Sequence, residues 1–208
     1  MKRILAPILL LTLLFPSLAY GVTMDDLVER DGIHYKKFST VPFTGKVTGK
    51  TQGTFRNGKR EGPWVTYHDN GQLWFKGTYK NGKRVGPWVT NHKNGKLQSK
   101  GTYKNGKREG PWVTYHDNGQ LDSKGNYKDG KRVGPWVSYN RKGQLISKGT
   151  YKDDKKDGPW VSYWENGQLF SKGTYKDGKR EGPWVFYDKN GTVFKGLTGT
   201  YKNGVKVK

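Results

Sequence analysis

GPWVTYHDNGQL, residues 62–73, returns with small changes from Gly86, Gly110, Gly134, Gly158 and Gly182, at a constant interval of 24 residues. A fixed period of this length is the signature of a repeat architecture. Trp64, Trp88, Trp112, Trp136, Trp160 and Trp184 fall into one column, and Val65, Val89, Val113, Val137, Val161 and Val185 into the next. A Leu column (Leu73, Leu97, Leu121, Leu145, Leu169) ends in Val193. A Tyr column (Tyr79, Tyr103, Tyr127, Tyr151, Tyr175) begins with Phe55, and reaches Tyr201 only if two residues are inserted after Gly196.

Each unit carries two turn signals, Asn-Gly in HDNGQL and Asn-Gly or Asp-Gly in YKNGKR and YKDGKR. These dipeptides accept the positive φ angles of tight hairpins. Between them lie PWVTYH and QLWFKGTYK, rich in β-branched and aromatic residues and without helical period. The expected fold is therefore all-β, an elongated antiparallel meander of consecutive hairpins. Alternation along the second strand sends Leu73, Phe75, Gly77 and Tyr79 to one face and Trp74, Lys76, Thr78 and Lys80 to the other. On the first strand Val65 and Tyr67 share a face, with Trp64 opposite or at the corner. Equivalent strands of neighbouring units lie ~10 Å apart. No single hairpin holds itself folded, so stability is shared between neighbours.

Residues 1–21 differ from the rest. MKR, the apolar run Ile4 to Phe15 and the exit PSLAYG have the grammar of a secretory signal peptide, cleaved after Ala19 or Gly21. The run is interrupted by Pro7 and is too short to span ~30 Å of hydrocarbon. Residues 22–40 read as a capping hairpin turning at Asp31-Gly32 over the exposed sheet edge. Residues 41–208 are the array: a partial unit over 41–61, then units from 62, 86, 110, 134, 158 and 182, the last degenerate. Asp154 replaces the turn glycine found at 82, 106, 130 and 178, so that turn is expected to be loose or re-formed. Glycines number 30 and are assigned to hairpin turns, aromatics make up 14%, and aromatic side chains are left to do most of the burying.

F75-K76-G77-T78-Y79-K80-N81-G82-K83-R84-V85-G86 resembles the MORN repeat, Tyr-x-Gly-x-Trp-x-x-Gly-x-x-x-Gly, and GPW with the 24-residue unit resembles its bacterial variant, the YwqK-family antitoxin-like repeats. The resemblance covers residues 41–208. It implies a hairpin sheet serving as a binding or scaffolding surface, and raises neutralisation of a toxic partner as one role.

Little in the chain suggests chemistry. The absence of cysteine excludes disulfides, zinc thiolates and thiol nucleophiles. His68, His92 and His116 share a column, but ~10 Å between rungs is too far for two ligands each ~2 Å from one zinc. They are read as solvated residues beside turns, with His34 apart. Asp69, Asp117, Asp129, Asp153 and Asp177 recur at repeat spacing and do not converge on a pocket. No catalytic residue, metal or cofactor is expected.

The basic columns are the candidate site. Lys76, Lys100, Lys124, Lys148 and Lys172 form one, and Lys80, Lys104, Lys128, Lys152 and Lys176, continued at Lys202, form another. Both project from one face, with Thr78 and its equivalents between them and Asn126 substituting once. Formal net charge is +22, or +20 without Lys2 and Arg3, which favours anionic partners. Lysine on an open sheet also discourages edge pairing, so solubility alone is the competing account. The partners expected are an acidic protein, an anionic lipid or an envelope polymer, met outside the cytoplasm by a monomer peripheral to the envelope. Nucleic acid fits less well, because Lys outnumbers Arg and the column of Trp74 continues as Gln98, Asp122, Ile146, Phe170 and Phe194.

Overall fold

A computed structural model describes residues 21–207, so the signal peptide reading falls almost wholly outside the described residues. A 3-10 turn (Met24–Asp26) leads into a separate two-stranded hairpin of β1 (Leu27–Arg30) and β2 (Ile33–Lys36). The main sheet begins with β3 (Gly45–Val47), β4 (Thr51–Arg56), β5 (Lys59–Tyr67), β6 (Leu73–Lys80), β7 (Lys83–Asn91) and β8 (Leu97–Lys104). It continues with β9 (Lys107–Tyr115), β10 (Leu121–Lys128), β11 (Lys131–Tyr139), β12 (Leu145–Lys152) and β13 (Lys155–Tyr163). It closes with β14 (Leu169–Lys176), β15 (Lys179–Phe186), β16 (Gly199–Lys202) and β17 (Val205–Lys206). These 15 strands follow one another in strict chain order, every pair antiparallel.

The two turns of a unit differ. At YKNGKR both central residues are left-handed, Asn81 at φ 48° and Gly82 at φ 76°, as a two-residue hairpin requires. At HDNGQL only Gly71 has positive φ, and the His68 N–H donates to the Gln72 carbonyl at 2.8 Å. From this wider turn the Asn70 side chain reaches the next unit, its Nδ2 donating to the Lys93 carbonyl at 2.6 Å. Asn94, Asn118 and Asn166 repeat this clamp. At the opposite edge the Gly82 N–H donates to the Arg60 carbonyl at 2.9 Å, tying that turn to the preceding unit.

GPW is a bulge. Lys76 faces Val89 and Thr78 faces Val85, so Gly86, Pro87 and Trp88 together oppose Gly77. Gly86 supplies φ 67°, and a bulge is where an interior strand tolerates proline. Toward β8 the ladder is regular from Gly86 to Thr90, with Trp88 facing Gly101. The bulge lays the Trp88 indole on Gly77, where an added Cβ would come within 2.2 Å of Cε2. Gly53, Gly101, Gly125, Gly149 and Gly173 underlie the other five repeat tryptophans at 2.0–2.3 Å by the same measure. Not all glycines are turn residues, then: one per unit makes room for an indole.

The six tryptophans are 0–8% exposed. Through Tyr79, Tyr103, Tyr127, Tyr151 and Tyr175 they form a continuous edge-to-face ladder, with centroids 4.8–6.1 Å apart and planes at 74–89°. Such pairs contribute ~0.5–1.5 kcal/mol beyond their burial. The core is thus one layer of rings on one side of one sheet.

At the N-terminal end the β1–β2 hairpin lies on this layer. Leu27 joins Phe43, Val47 and Phe55 in the core, and His34 packs on Phe55 at 4.6 Å between centroids. The hairpin forms its own sheet and does not pair with β3. Asp154 corrects the expectation for its turn. Asp153 and Asp154 sit at φ 50° and 68°, the shape of Asn81-Gly82, so the turn is not re-formed. The Asp154 carboxylate accepts from the Arg132 N–H and Nε at 3.0 and 2.8 Å.

Candidate anion-binding face

Strand register sorts the side chains. Trp64 faces Gly77 on the aromatic side, whereas Val65 faces Lys76 and Pro63 faces Thr78 on the other. All ten predicted lysines, Lys76 through Lys176, are exposed on that second side. The two columns are not equivalent. Lys76 is flanked by Val65 and Val89. Lys80 stands directly opposite Lys83 across the hairpin, and the same pairing recurs at Lys104–Lys107, Lys128–Lys131, Lys152–Lys155 and Lys176–Lys179, with Arg56–Lys59 before them. Like charges directly opposite cost stability, on the order of a few tenths of a kcal/mol each. Among the described residues none of these paired lysines makes an ion pair. The nearby acids are occupied elsewhere: Glu61, Glu109, Asp157 and Glu181 accept from the turn N–H groups of Asn81, Asp129, Asp177 and Asn203. The second lysine of each pair lies outside the columns singled out in sequence, because only the hairpin register places it there.

Trp74 does not belong to the lysine face. Thr66 faces Phe75 while Tyr67 faces Leu73, which leaves Trp74 as the extra residue of a bulge. A bulge re-aims its side chain, and the Trp74 ring lies 5.4 Å from Phe75 and 5.6 Å from His68 on the aromatic side. Phe170, at the same position, packs on Phe186 and Trp164, and Asp122 accepts from the Thr114 hydroxyl at 2.9 Å. Strict alternation fails at this column at Trp74, Gln98, Asp122, Ile146 and Phe170 alike.

The histidines are not solvated either. His68, His92 and His116 are half-buried, and each Nε2 donates to a carbonyl of the next unit, Asn91, Tyr115 and Tyr139, at 3.0, 2.8 and 2.9 Å. Trp164 makes the same link to Tyr187 through Nε1 at 3.0 Å. The column ties units together.

An arginine column adds to what the sequence suggested. Arg60, Arg84, Arg108, Arg132 and Arg180, with Lys156 in register, lie over the tryptophan rings at 4.1–5.9 Å. Arg60, Arg84 and Arg108 also donate to the hydroxyls of Tyr79, Tyr103 and Tyr127 at 2.9–3.1 Å. Burial and the charges of Arg132 and Arg180 push the Lys156 ammonium below its ordinary pKa. The signal was present, since KR follows most of the second turns, but only the change of face between Lys83 and Arg84 separates a surface charge from a stacked one.

The family described as MORN repeat variant matches residues 60–81, 84–105, 108–129, 132–153 and 156–177, and the one described as MORN repeat matches 52–63 and 172–193. The chain belongs to the MORN repeat family. MORN arrays are typically binding and scaffolding modules, consistent with a sheet whose repeated residues build a wall and two charged faces. No curated protein matches the chain. No helix among the described residues is long and apolar enough to cross a membrane.

Proposed function

We propose that this MORN array is an exported, non-enzymatic scaffold that engages an anionic partner along its lysine face. The observation that carries the reading is the row of like-charged cross-strand pairs, Arg56–Lys59 through Lys176–Lys179, at one edge of the sheet. Solubility needs lysines somewhere on the surface. It does not need them face to face, where they repel. An acidic protein surface, anionic headgroups or an acidic envelope polymer would relieve that repulsion. Rungs ~10 Å apart would let many weak contacts add.

Export rests on the leader-like residues 1–21. The test is fractionation of cells followed by capture of envelope components on the full chain at low and high salt. Retention outside the cytoplasm and capture that falls steeply with salt are expected. Cytoplasmic retention, or capture indifferent to salt, contradicts the proposal. Neutralisation of an acidic toxic partner is a narrower form of it, raised by the resemblance of GPW and the 24-residue unit to the antitoxin-like repeats. It requires an adjoining gene whose product kills only cells lacking this protein.

A further inference from the structure

The aromatic side carries a second site that the lysine face does not explain. A trough of about 650 Å³ crosses the units between β6 and β10, and Trp74, Phe75, Arg84, Gln98, Arg108 and Asp122 are among its lining. Its volume is that of an ordinary ligand site, ~300–1,000 Å³. The trough exists because the repeat is broken there. The bulge position holds Phe170 in a later unit, where Phe170, Phe186 and Trp164 pack together and fill the corresponding space, whereas His92 and Thr114 stand in the places of Trp164 and Phe186 here. Here the position holds Gln98 and Asp122, which do not fill it, while Trp74 stands at one end, 44% exposed.

The chemistry of the lining narrows the occupant. Arg84 and Arg108 each give one nitrogen to a tyrosine hydroxyl, and among the described residues neither has a carboxylate partner. Arg132 in the same column has Asp154. Two guanidinium groups with donors to spare, Arg84 exposed and Arg108 half-buried, above an aromatic floor suit a carboxylate. The floor belongs to interior strands whose backbone groups are paired on both sides, so no peptide can add as a strand and recognition must come from side chains. The Gln98 amide both donates and accepts, and Asp122 accepts. Trp74 offers an exposed π face to polarised C–H bonds. A pyranose ring bearing a carboxylate presents these features together: a C–H face, hydroxyls that donate and accept, and one negative charge.

We propose that the trough between β6 and β10 binds an acidic saccharide, with Trp74 against the sugar ring, Gln98 and Asp122 on its hydroxyls, and Arg84 and Arg108 on its carboxylate. This site lies on the opposite face from the lysine columns and does not depend on their role.

The test is calorimetric titration of the full chain with a galacturonic acid trimer, maltotriose, an N-acetylated glutamate tripeptide and inorganic phosphate. Two trough variants are included, Trp74→Ala and Gln98→Phe, and one lysine-face variant carrying Lys→Gln at 76, 100 and 124. Gln98→Phe places a ring at a bulge position that holds Trp74 and Phe170 in other units, so it obstructs the trough at a position where the repeat carries aromatics, and far-ultraviolet circular dichroism checks that the sheet is retained. Saturable binding of one galacturonate trimer is expected, weakened at least tenfold in both trough variants and unchanged in the lysine-face variant. Maltotriose is expected to bind at least tenfold more weakly. Equal binding of the glutamate peptide, of phosphate or of maltotriose overturns the proposal. So does galacturonate binding that survives Gln98→Phe or is lost only with the lysines.

Discussion

Trp112 lies flat on Gly101, so that a Cβ at residue 101 would stand 2.0 Å from Cε3 of the indole. The glycine belongs to one unit and the tryptophan to the next, and the bulge at Gly110-Pro111 brings them together. Each unit is thereby completed by its successor. The contact explains why an extended strand residue, in KGTYK, is glycine in every full unit.

Gly101→Ala should therefore destabilise the protein. In a strand interior the change ordinarily gains roughly 0.5–1 kcal/mol. Here the methyl must displace an indole, and overpacking costs about 1–3 kcal/mol. Urea unfolding should show a lower midpoint than wild type. An unchanged or raised midpoint would remove the stacking account.

Trp112→Ala deletes the largest contact of its rung and should cost about 3–5 kcal/mol. In a linear array the loss stays near its origin. Hydrogen exchange should quicken in β8, β9 and β10 while β14 and β15 keep their protection. Uniform loss of protection would show a single cooperative block instead.

The meander and the two hairpin turns per unit were legible in the sequence because Trp, Leu, Tyr and the Asn-Gly pairs recur at one period. Two things were not. Alternation predicts faces only while the ladder is regular, and the bulge at Trp74 moved a whole column to the other side. The arginines were hidden among lysines, because register decides that Lys83 points to solvent and Arg84 onto Trp88. The paired lysine columns needed the same register. The trough could not be read at all, since it is defined by side chains that fail to fill space.

Asp154 holds a left-handed turn position that elsewhere belongs to glycine. Burial pushes its carboxyl up, but the hydrogen bonds and charge of Arg132 outweigh this and hold it below its ordinary value. Asp154→Ala keeps the unfavourable backbone conformation and loses Arg132, and should cost ~1–2 kcal/mol. Asp154→Gly relieves the backbone and should cost less. The depressed pKa means the stabilisation is present above the ordinary Asp range and lost as pH falls through the folded value. The gap between wild type and Asp154→Asn should narrow in acid.

His34 gives the N-terminal hairpin a pH dependence. Burial pulls its pKa below 6.5, with Glu29 opposing and Arg60 assisting. A depressed folded pKa favours the neutral ring, so the contribution is complete above 6.5 and lost as pH falls through the folded value. Protection factors of β1 and β2, corrected for the intrinsic slowing of exchange in acid, should fall from pH 7 to 5 ahead of those of the central strands, and His34→Phe should abolish that pH dependence. Retention of it in His34→Phe would assign it to another group.

The central claim, that the like-charged pairs at the hairpin edge are a contact surface for anions, is tested most directly by comparing two charge variants of the full chain. One carries Lys→Gln at 80, 104, 128, 152 and 176, the other at 76, 100, 124, 148 and 172; both remove five charges. Affinity for polyglutamate is measured across a salt series. Loss of more than tenfold with a flattened salt dependence in the first variant, and a clearly smaller loss in the second, is the predicted result. Equal losses would reduce the face to net charge, and wild-type binding in both would contradict the claim outright.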